Sequence, residues 1–179
     1  MNTDFLWVEE YRPKTIEDCI LPDSLKTLFT SFIKKGELSN MLFSGTPGIG
    51  KTTVAKALCH ELGVDSIIIN GSDEGRFLDT VRNSAKQFAS TVSLTSSAKH
   101  KVIIIDEADN TTHDVQLLLR ASIEEFQNNC RFIFTCNFKN KIIQPLHSRT
   151  TVIDCNTRGK QKQQIATQFF ERCRGILTA

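Results

Sequence analysis

"NMLFSGTPGIGKT", residues 40–52, decides how the rest of the chain is understood. A short apolar run, Met41-Leu42-Phe43, enters a turn built on Gly45, Pro47, Gly48 and Gly50, and residues from Lys51 to about Leu62, before Gly63, suit a helix. Residues 45–52 match G-x-x-x-x-G-K-[ST] in full, and they lie between an expected strand and an expected helix, the context that gives the pattern its meaning. Glycines let successive backbone N–H groups turn inward around phosphate oxygens, and the following helix adds the positive end of its dipole. Lys51 is expected at the β and γ phosphates and the Thr52 hydroxyl on Mg²⁺. The candidate nucleotide contacts of the turn are Gly45, Thr46, Pro47, Gly48, Ile49, Gly50, Lys51, Thr52 and Thr53. An ordinary Gly-Pro turn is the competing account, and the complete motif in a strand–turn–helix setting outweighs it.

A second stretch, "KVIIIDEADN" (101–110), complements the first. Four consecutive β-branched residues suit a strand buried on both faces. Asp106, Glu107 and Asp109 follow, and charges of one sign this close repel unless something offsets them. Asp106 is therefore expected at the tip of a strand neighbouring the glycine-rich turn, sharing Mg²⁺ with Thr52. Glu107 is placed to orient or activate a water that attacks the γ-phosphate. Asp109 is expected either to touch a neighbouring subunit or loop, or to cap the helix near residue 113. "RFIFTCN" (131–137) is another apolar strand, and its terminal Asn137 is expected to help position the water, against the plainer account that Asn opens a turn. The N-K-x-D pattern of guanine recognition is missing, the local run being "NFKN", so adenine is the expected base.

Around these motifs the chain alternates. A helix from about 24 to 35, with Asp23 as N-cap and Lys34-Lys35-Gly36 as its end, carries Leu25, Leu28, Phe29, Phe32 and Ile33 on one stripe. "SIIIN" (66–70) and "TTVIDC" (150–155) read as strands, Phe77, Val81, Ala85 and Phe88 as a helical stripe, and 113–127 as a further helix. Five strands separated by helices predict a parallel sheet covered on both faces, with ligands at the strands' carboxyl ends. The 179 residues suffice for one α/β domain and the start of a second. No apolar stretch reaches the ~20 residues of a membrane span, and the acidic N-terminus lacks the features of a secretion signal, so a soluble intracellular protein is expected. The six cysteines (19, 59, 130, 136, 155 and 173) form no C-x-x-C pair and read as buried reduced thiols. A net charge of +2 means that any DNA contact is local or shared among subunits.

Taken together, "GTPGIGKT", "IIIDEAD" and the strand-terminal Asn resemble the AAA+ ATPases. Further stretches narrow the likeness: "EEYRPKTIEDCI", "NGSDEGRFLDTVRNSAKQFAST", "VQLLLRASIEEF" and "PLHSRTTV" are similar, in order, to blocks of clamp-loader small subunits, over about residues 9 to 155. The chain thus resembles the ATPase subunits of replication factor C and of tailed-phage clamp loaders, with "GSDEGR" and "CILPDSLK" pointing to the phage branch. That resemblance implies an α/β P-loop NTPase fold of the AAA+ type, a parallel five-stranded sheet flanked by helices over residues 1–155, with 156–179 opening a helical lid whose first helix has Ile165, Phe169 and Cys173 on one face. It also implies residue roles. Tyr11, Arg12 and Pro13 would lie near the adenine; Arg149 would act on the ATP of an adjacent subunit, against a plain exposed arginine before an edge strand, although Thr150 replaces the usual Cys after it; Arg76, Arg82 and Lys86, which spacing alone reads as a solvated basic face, would track DNA phosphates, with Arg76 coupling DNA to Glu107. Gln116 and Arg120 would link subunit contacts to the catalytic site, against a plain packing or ion-pair role. The implied function is ATP-driven loading of a sliding clamp onto primer-template DNA by a ring of subunits, in the cytoplasm or nucleus, or in the host cytoplasm if phage-encoded. The alternatives are another AAA+ machine on DNA, such as a branch-migration helicase or helicase loader, and a non-catalytic ATP-binding interaction subunit.

Overall fold

The structure is a computed structural model in which residues 10–72, 85–91, 100–157, 159 and 161–178 are described. In chain order the elements are α1 (Asp23–Lys35), β1 (Met41–Ser44), α2 (Lys51–Leu62), β2 (Ser66–Asn70), α3 (Lys86–Ser90), β3 (Lys101–Asp106), α4 (His113–Glu125), β4 (Cys130–Cys136), α5 (Gln144–His147), β5 (Thr151–Asp154) and α6 (Gln161–Leu177). The five strands are all parallel, in the order β2-β3-β4-β1-β5. Parallel pairing brings every carboxyl end to one edge, so the glycine-rich turn after β1 and the acids after β3 share that edge.

The order corrects one expectation. β3 is not beside β1, because β4 lies between them and pairs with both. At seven residues β4 is long enough to serve both neighbours, pairing with β3 over Cys130–Phe134 and with β1 over Ile133–Cys136, and a strand flanked and covered in this way has six of its residues buried. Burial follows position. β1 is buried throughout and β3 up to its last residue, whereas the edge strands β2 and β5 leave Ile68 and Val152 more than 40 % exposed despite their β-branched sequences.

Alternation along the strands splits the core into two layers. Met41, Phe43, Val102, Ile104 and Ile133 face α1 and α2, where Phe29, Val54 and Leu58 are buried; Phe29 meets Phe43 at 5.6 Å between ring centroids. Leu42, Ile103, Ile105, Phe132 and Phe134 face α4, which buries Val115, Leu119 and Ile123.

Several local expectations shift by a residue or two. Asp23 is the first residue of α1 and not its cap; the Pro22 carbonyl, preset by the ring, accepts from Leu25 N and Lys26 N at 2.9 and 3.1 Å. α4 ends at Glu125. The packed stripe of α6 runs through Ile165, Gln168, Arg172 and Ile176, so Phe169, 52 % exposed, falls on its flank. Phe77 and Val81 lie outside the described residues, while Ala85 and Phe88 do pack into the second layer.

Candidate active site

Gly50, at φ 89°, turns the chain in a region that side chains avoid and starts α2 immediately after it. Lys51, 8 % exposed, then points back over the turn. All three of its ammonium N–H groups are engaged: by Gly45 O at 2.8 Å, Thr46 O at 3.0 Å and Asn137 Oδ1 at 2.9 Å. Thr52 donates its hydroxyl to Asp106 Oδ1 at 2.6 Å, spanning the width of the intervening β4.

The strand in that gap supplies a residue that sequence reasoning missed. Thr135, 1 % exposed, donates to the same Asp106 oxygen at 2.6 Å and accepts the Glu107 N–H at 3.0 Å. A lone hydroxyl inside "RFIFTC" was the available signal, since buried polar groups exist to meet a partner. Glu107 itself sits at φ 53°, an uncommon conformation for a residue with a side chain, and its carboxylate accepts from Ser72 Oγ and from Asn110 Nδ2 at 3.1 Å. The chain comes this close because residue 71 is glycine: a Cβ there would meet Glu107 O at 2.6 Å and Thr111 Cγ2 at 2.8 Å.

Asp109 departs from the helix-cap expectation. Thr112 caps α4, accepting from Val115 N at 3.4 Å, while Asp109 is buried and its Oδ2 accepts the N–H groups of Asn137 and Phe138 at 3.1 and 3.0 Å. It fixes the exit of β4 and so the placement of Asn137 against Lys51; the touch on a loop that the sequence suggested is within its own chain. Asn156, another residue not foreseen, accepts the Thr46 N–H at 3.0 Å and steadies the start of the turn.

Two adjoining cavities meet along Gly48, Gly50 and Thr53. One, about 310 Å³, is lined by Lys51, Thr52, Asp106, Glu107, Thr135 and Asn137. The other, about 670 Å³, is walled by apolar groups including Ile20, Leu21, Ile49, Ile165 and Phe169. Gln168 of α6 ties that helix to the segment before α1 by pairing with both backbone groups of Leu21, itself a lining residue, at 3.2 Å. Of the Tyr11-Arg12-Pro13 trio, Pro13 reaches this apolar wall; Tyr11 lines a separate polar cavity beyond it, with its carbonyl held by Arg172 Nη2 at 3.0 Å, and Arg12 lines neither. A charged, phosphate-sized chamber joined to an apolar one of base-and-sugar size can hold a nucleotide. Thr52 and Asp106 offer a hydroxyl and a carboxylate oxygen, the latter's Oδ2 without a partner among the described residues; this all-oxygen donor set fits Mg²⁺, which takes one or two carboxylates and fills its shell with phosphate and water. The nearest thiols do not compete: burial pushes Cys136 up to about 12 and Cys155 to about 11.

The remaining expected residues lie elsewhere. Arg149 follows α5 and lines neither of these two cavities; Glu124 of α4 holds it at 2.6 Å. Gln116 is 2 % exposed and ties α4 to two loops through Thr111 O, Lys141 O and Ile143 N. Arg120 pairs with Glu124 at 3.4 Å. Lys86 opens α3, with Glu125 at 3.9 Å, and Arg76 and Arg82 lie outside the described residues.

Comparison with known proteins fits this geometry. The family model described as "ATPase family associated with various cellular activities (AAA)" matches residues 41–156. A replication factor C small subunit of Methanocella arvoryzae is 45 % identical over 157 residues, 85 % of this chain and 48 % of that protein, and one of Saccharolobus solfataricus is 42 % identical over 154 residues, 83 % and 46 %. The chain spans about half the length of the curated relatives it matches. Among solved structures, the Thermotoga maritima RuvB Holliday junction branch migration motor superposes with a TM-score of 0.67 over 88 % of this chain and 53 % of that one, at 22 % identity, a likeness of fold. Because the matched segment runs from the strand that feeds the glycine-rich turn to just past the last strand of the sheet, the chain belongs to the AAA family of ATPases, and over most of its length it is similar to replication factor C small subunits.

Proposed function

We propose that this chain is an ATP-hydrolysing subunit of a sliding-clamp loader, working in a ring of subunits that opens a clamp and sets it on primer-template DNA. The observation that carries the reading is the shared edge at which Lys51, Thr52, Asp106 and Asn137 converge on one chamber while an apolar chamber adjoins it. The similarity to replication factor C small subunits supports the choice among AAA ATPases.

In this reading adenine lies against the Ile20, Leu21, Ile49 and Phe169 wall, with α6 as the opening helix of a lid. Phosphate oxygens replace some of the acceptors that now occupy Lys51, which exchanges one set of charge-assisted hydrogen bonds for another. Thr52 and Asp106 would hold Mg²⁺, which would supply charge neutralisation at the phosphates. Glu107 leaves Ser72 and Asn110 to take up the attacking water, and Asn137 helps to hold that water in line. Arg149 reaches the nucleotide of the next subunit, a contribution worth ~10³–10⁵ in turnover where it has been measured in related chemistry. Arg76, Arg82 and Lys86 contact DNA phosphates, a few cations from each subunit.

The test is a reconstituted ring with clamp and primer-template DNA. Glu107→Gln is expected to keep nucleotide binding and stop turnover; persistent turnover would remove Glu107 from its role. Arg149→Ala is expected to abolish DNA-stimulated hydrolysis while the single chain keeps its ATP affinity. A full-length chain that purifies without a clamp, and whose hydrolysis no clamp stimulates, would refute the clamp-loader reading.

A further inference from the structure

Arg149 is a long side chain at the surface, yet it is held. Its Nε and Nη2 donate to the same oxygen of Glu124, Oε1, at 3.0 and 2.6 Å, and Nη1 donates to Pro145 O at 3.1 Å and Ser148 Oγ at 3.4 Å. Those contacts account for four of the five guanidinium N–H groups and leave one, on Nη2, without a partner among the described residues. The group stands on the wall of an open groove of about 370 Å³ floored by Leu117 and Pro145, with Arg120 on the same rim.

Glu124 is an unusual residue for its place. It lies in the last turn of α4, where an acid opposes the helix dipole and a cation would support it. Two arginines meet it there, and the Arg149 hydrogen bond, ahead of the Arg120 charge, holds its carboxyl below the ordinary glutamate range. An exposed ion pair of this kind contributes little to stability, so stability does not account for the arrangement. What the pair does is choose one orientation of the Arg149 side chain from many.

We propose that Glu124 is a positioning residue for Arg149: it grips the guanidinium by its Nε–Nη2 side and presents the outer Nη2 N–H to a phosphate oxygen across the subunit boundary. The inference rests on Arg149 acting in trans. A guanidinium already oriented loses less freedom when the neighbouring nucleotide arrives, and misplacement by about an ångström can cost on the order of 100-fold in rate.

The experiment measures DNA- and clamp-stimulated ATP turnover of the reconstituted ring, made with Glu124→Gln, Glu124→Asp, Arg149→Ala and the Glu124→Gln/Arg149→Ala pair, with ring mass checked for each. Glu124→Gln is expected to lower kcat by roughly 10- to 100-fold with KM for ATP within about twofold. Glu124→Asp, which keeps the charge but draws the carboxylate back by one methylene, is expected to lower kcat as well, and the double variant to match Arg149→Ala alone. The proposal is overturned by unchanged or raised kcat in Glu124→Gln while Arg149→Ala abolishes turnover, an outcome that leaves the trans role intact. Multiplying losses in the double variant, or loss of the ring in Glu124→Gln, overturns it too. If Arg149→Ala itself turns over normally, the underlying trans reading fails, and this inference with it.

Discussion

Thr135→Val removes one buried hydroxyl and puts a methyl group of similar size in its place, so the effect is chemical and leaves no cavity. The hydroxyl donates to the Asp106 carboxylate at 2.6 Å, a charge-assisted bond worth about 1.5–3 kcal/mol. It also accepts the Glu107 N–H at 3.0 Å, and leaving that part-buried donor unpaired costs about 1 kcal/mol more. The sum is about 2.5–4 kcal/mol, or roughly 5–15 °C in Tm for a domain of this size. Thr135→Ser keeps the hydroxyl and loses one buried methyl, about 1 kcal/mol. Urea midpoints and thermal melts of the wild-type, Val and Ser chains give the comparison, and ATP turnover in the proposed ring tests whether the role proposed for Glu107 survives. The expected order of stability is Thr, then Ser, then Val. A Val variant as stable as the Ser variant would refute the argument, since the bridge between β4 and the acidic tip would then contribute nothing.

Three other perturbations test the frame around the site. His100, 3 % exposed, accepts the Leu38 N–H at 3.3 Å on Nε2, and burial, then the Arg131 charge, holds its pKa below the ordinary 6.5. The unfolded chain therefore binds the proton more readily, and stability falls as pH drops below about 6.5; His100→Gln should flatten that limb when urea midpoints at pH 7.5 and 5.5 are compared, and an unchanged slope would exclude His100 as its source. Lys101 donates to Phe88 O at 2.9 Å, Thr91 O at 2.5 Å and Thr91 Oγ1 at 2.7 Å, fastening the end of α3 to the start of β3. Lys101→Met should speed amide hydrogen exchange over residues 86–91 by at least tenfold, the ~1.5–3 kcal/mol of a charged hydrogen bond, with β4 unaffected. Burial pushes Cys19, Cys130 and Cys155 to about 11 and Cys59 and Cys136 to about 12, so at pH 8 their thiolate fraction is roughly 0.1 % or less. Iodoacetamide at that pH should label the half-buried Cys173 first and the other five only on unfolding, as mass spectrometry of the peptides will show.

Much of this protein is written locally. The β1–turn–α2 unit needs only residues 40–62, because a strand, a glycine-rich turn and a helix each depend on neighbours in sequence, and all three lie where the pattern puts them. The same holds for β3 and β4, whose apolar runs demand burial whatever covers them. Lys51, Thr52 and Asp106 were legible for that reason. Strand order was not, since a buried parallel strand carries no mark of which other strand lies beside it; only the assembled sheet sets β4 between β1 and β3 and makes Thr135 the link between the two halves of the site. Asp109 and Glu124 belong with Thr135. The sequence announces a carboxylate, but its partner, the backbone after β4 for one and a guanidinium 25 residues onward for the other, is chosen when distant segments pack. Periodicity reports which face of an element must be buried, and the partners of a charged group are fixed by tertiary contacts, which no single stretch of chain contains.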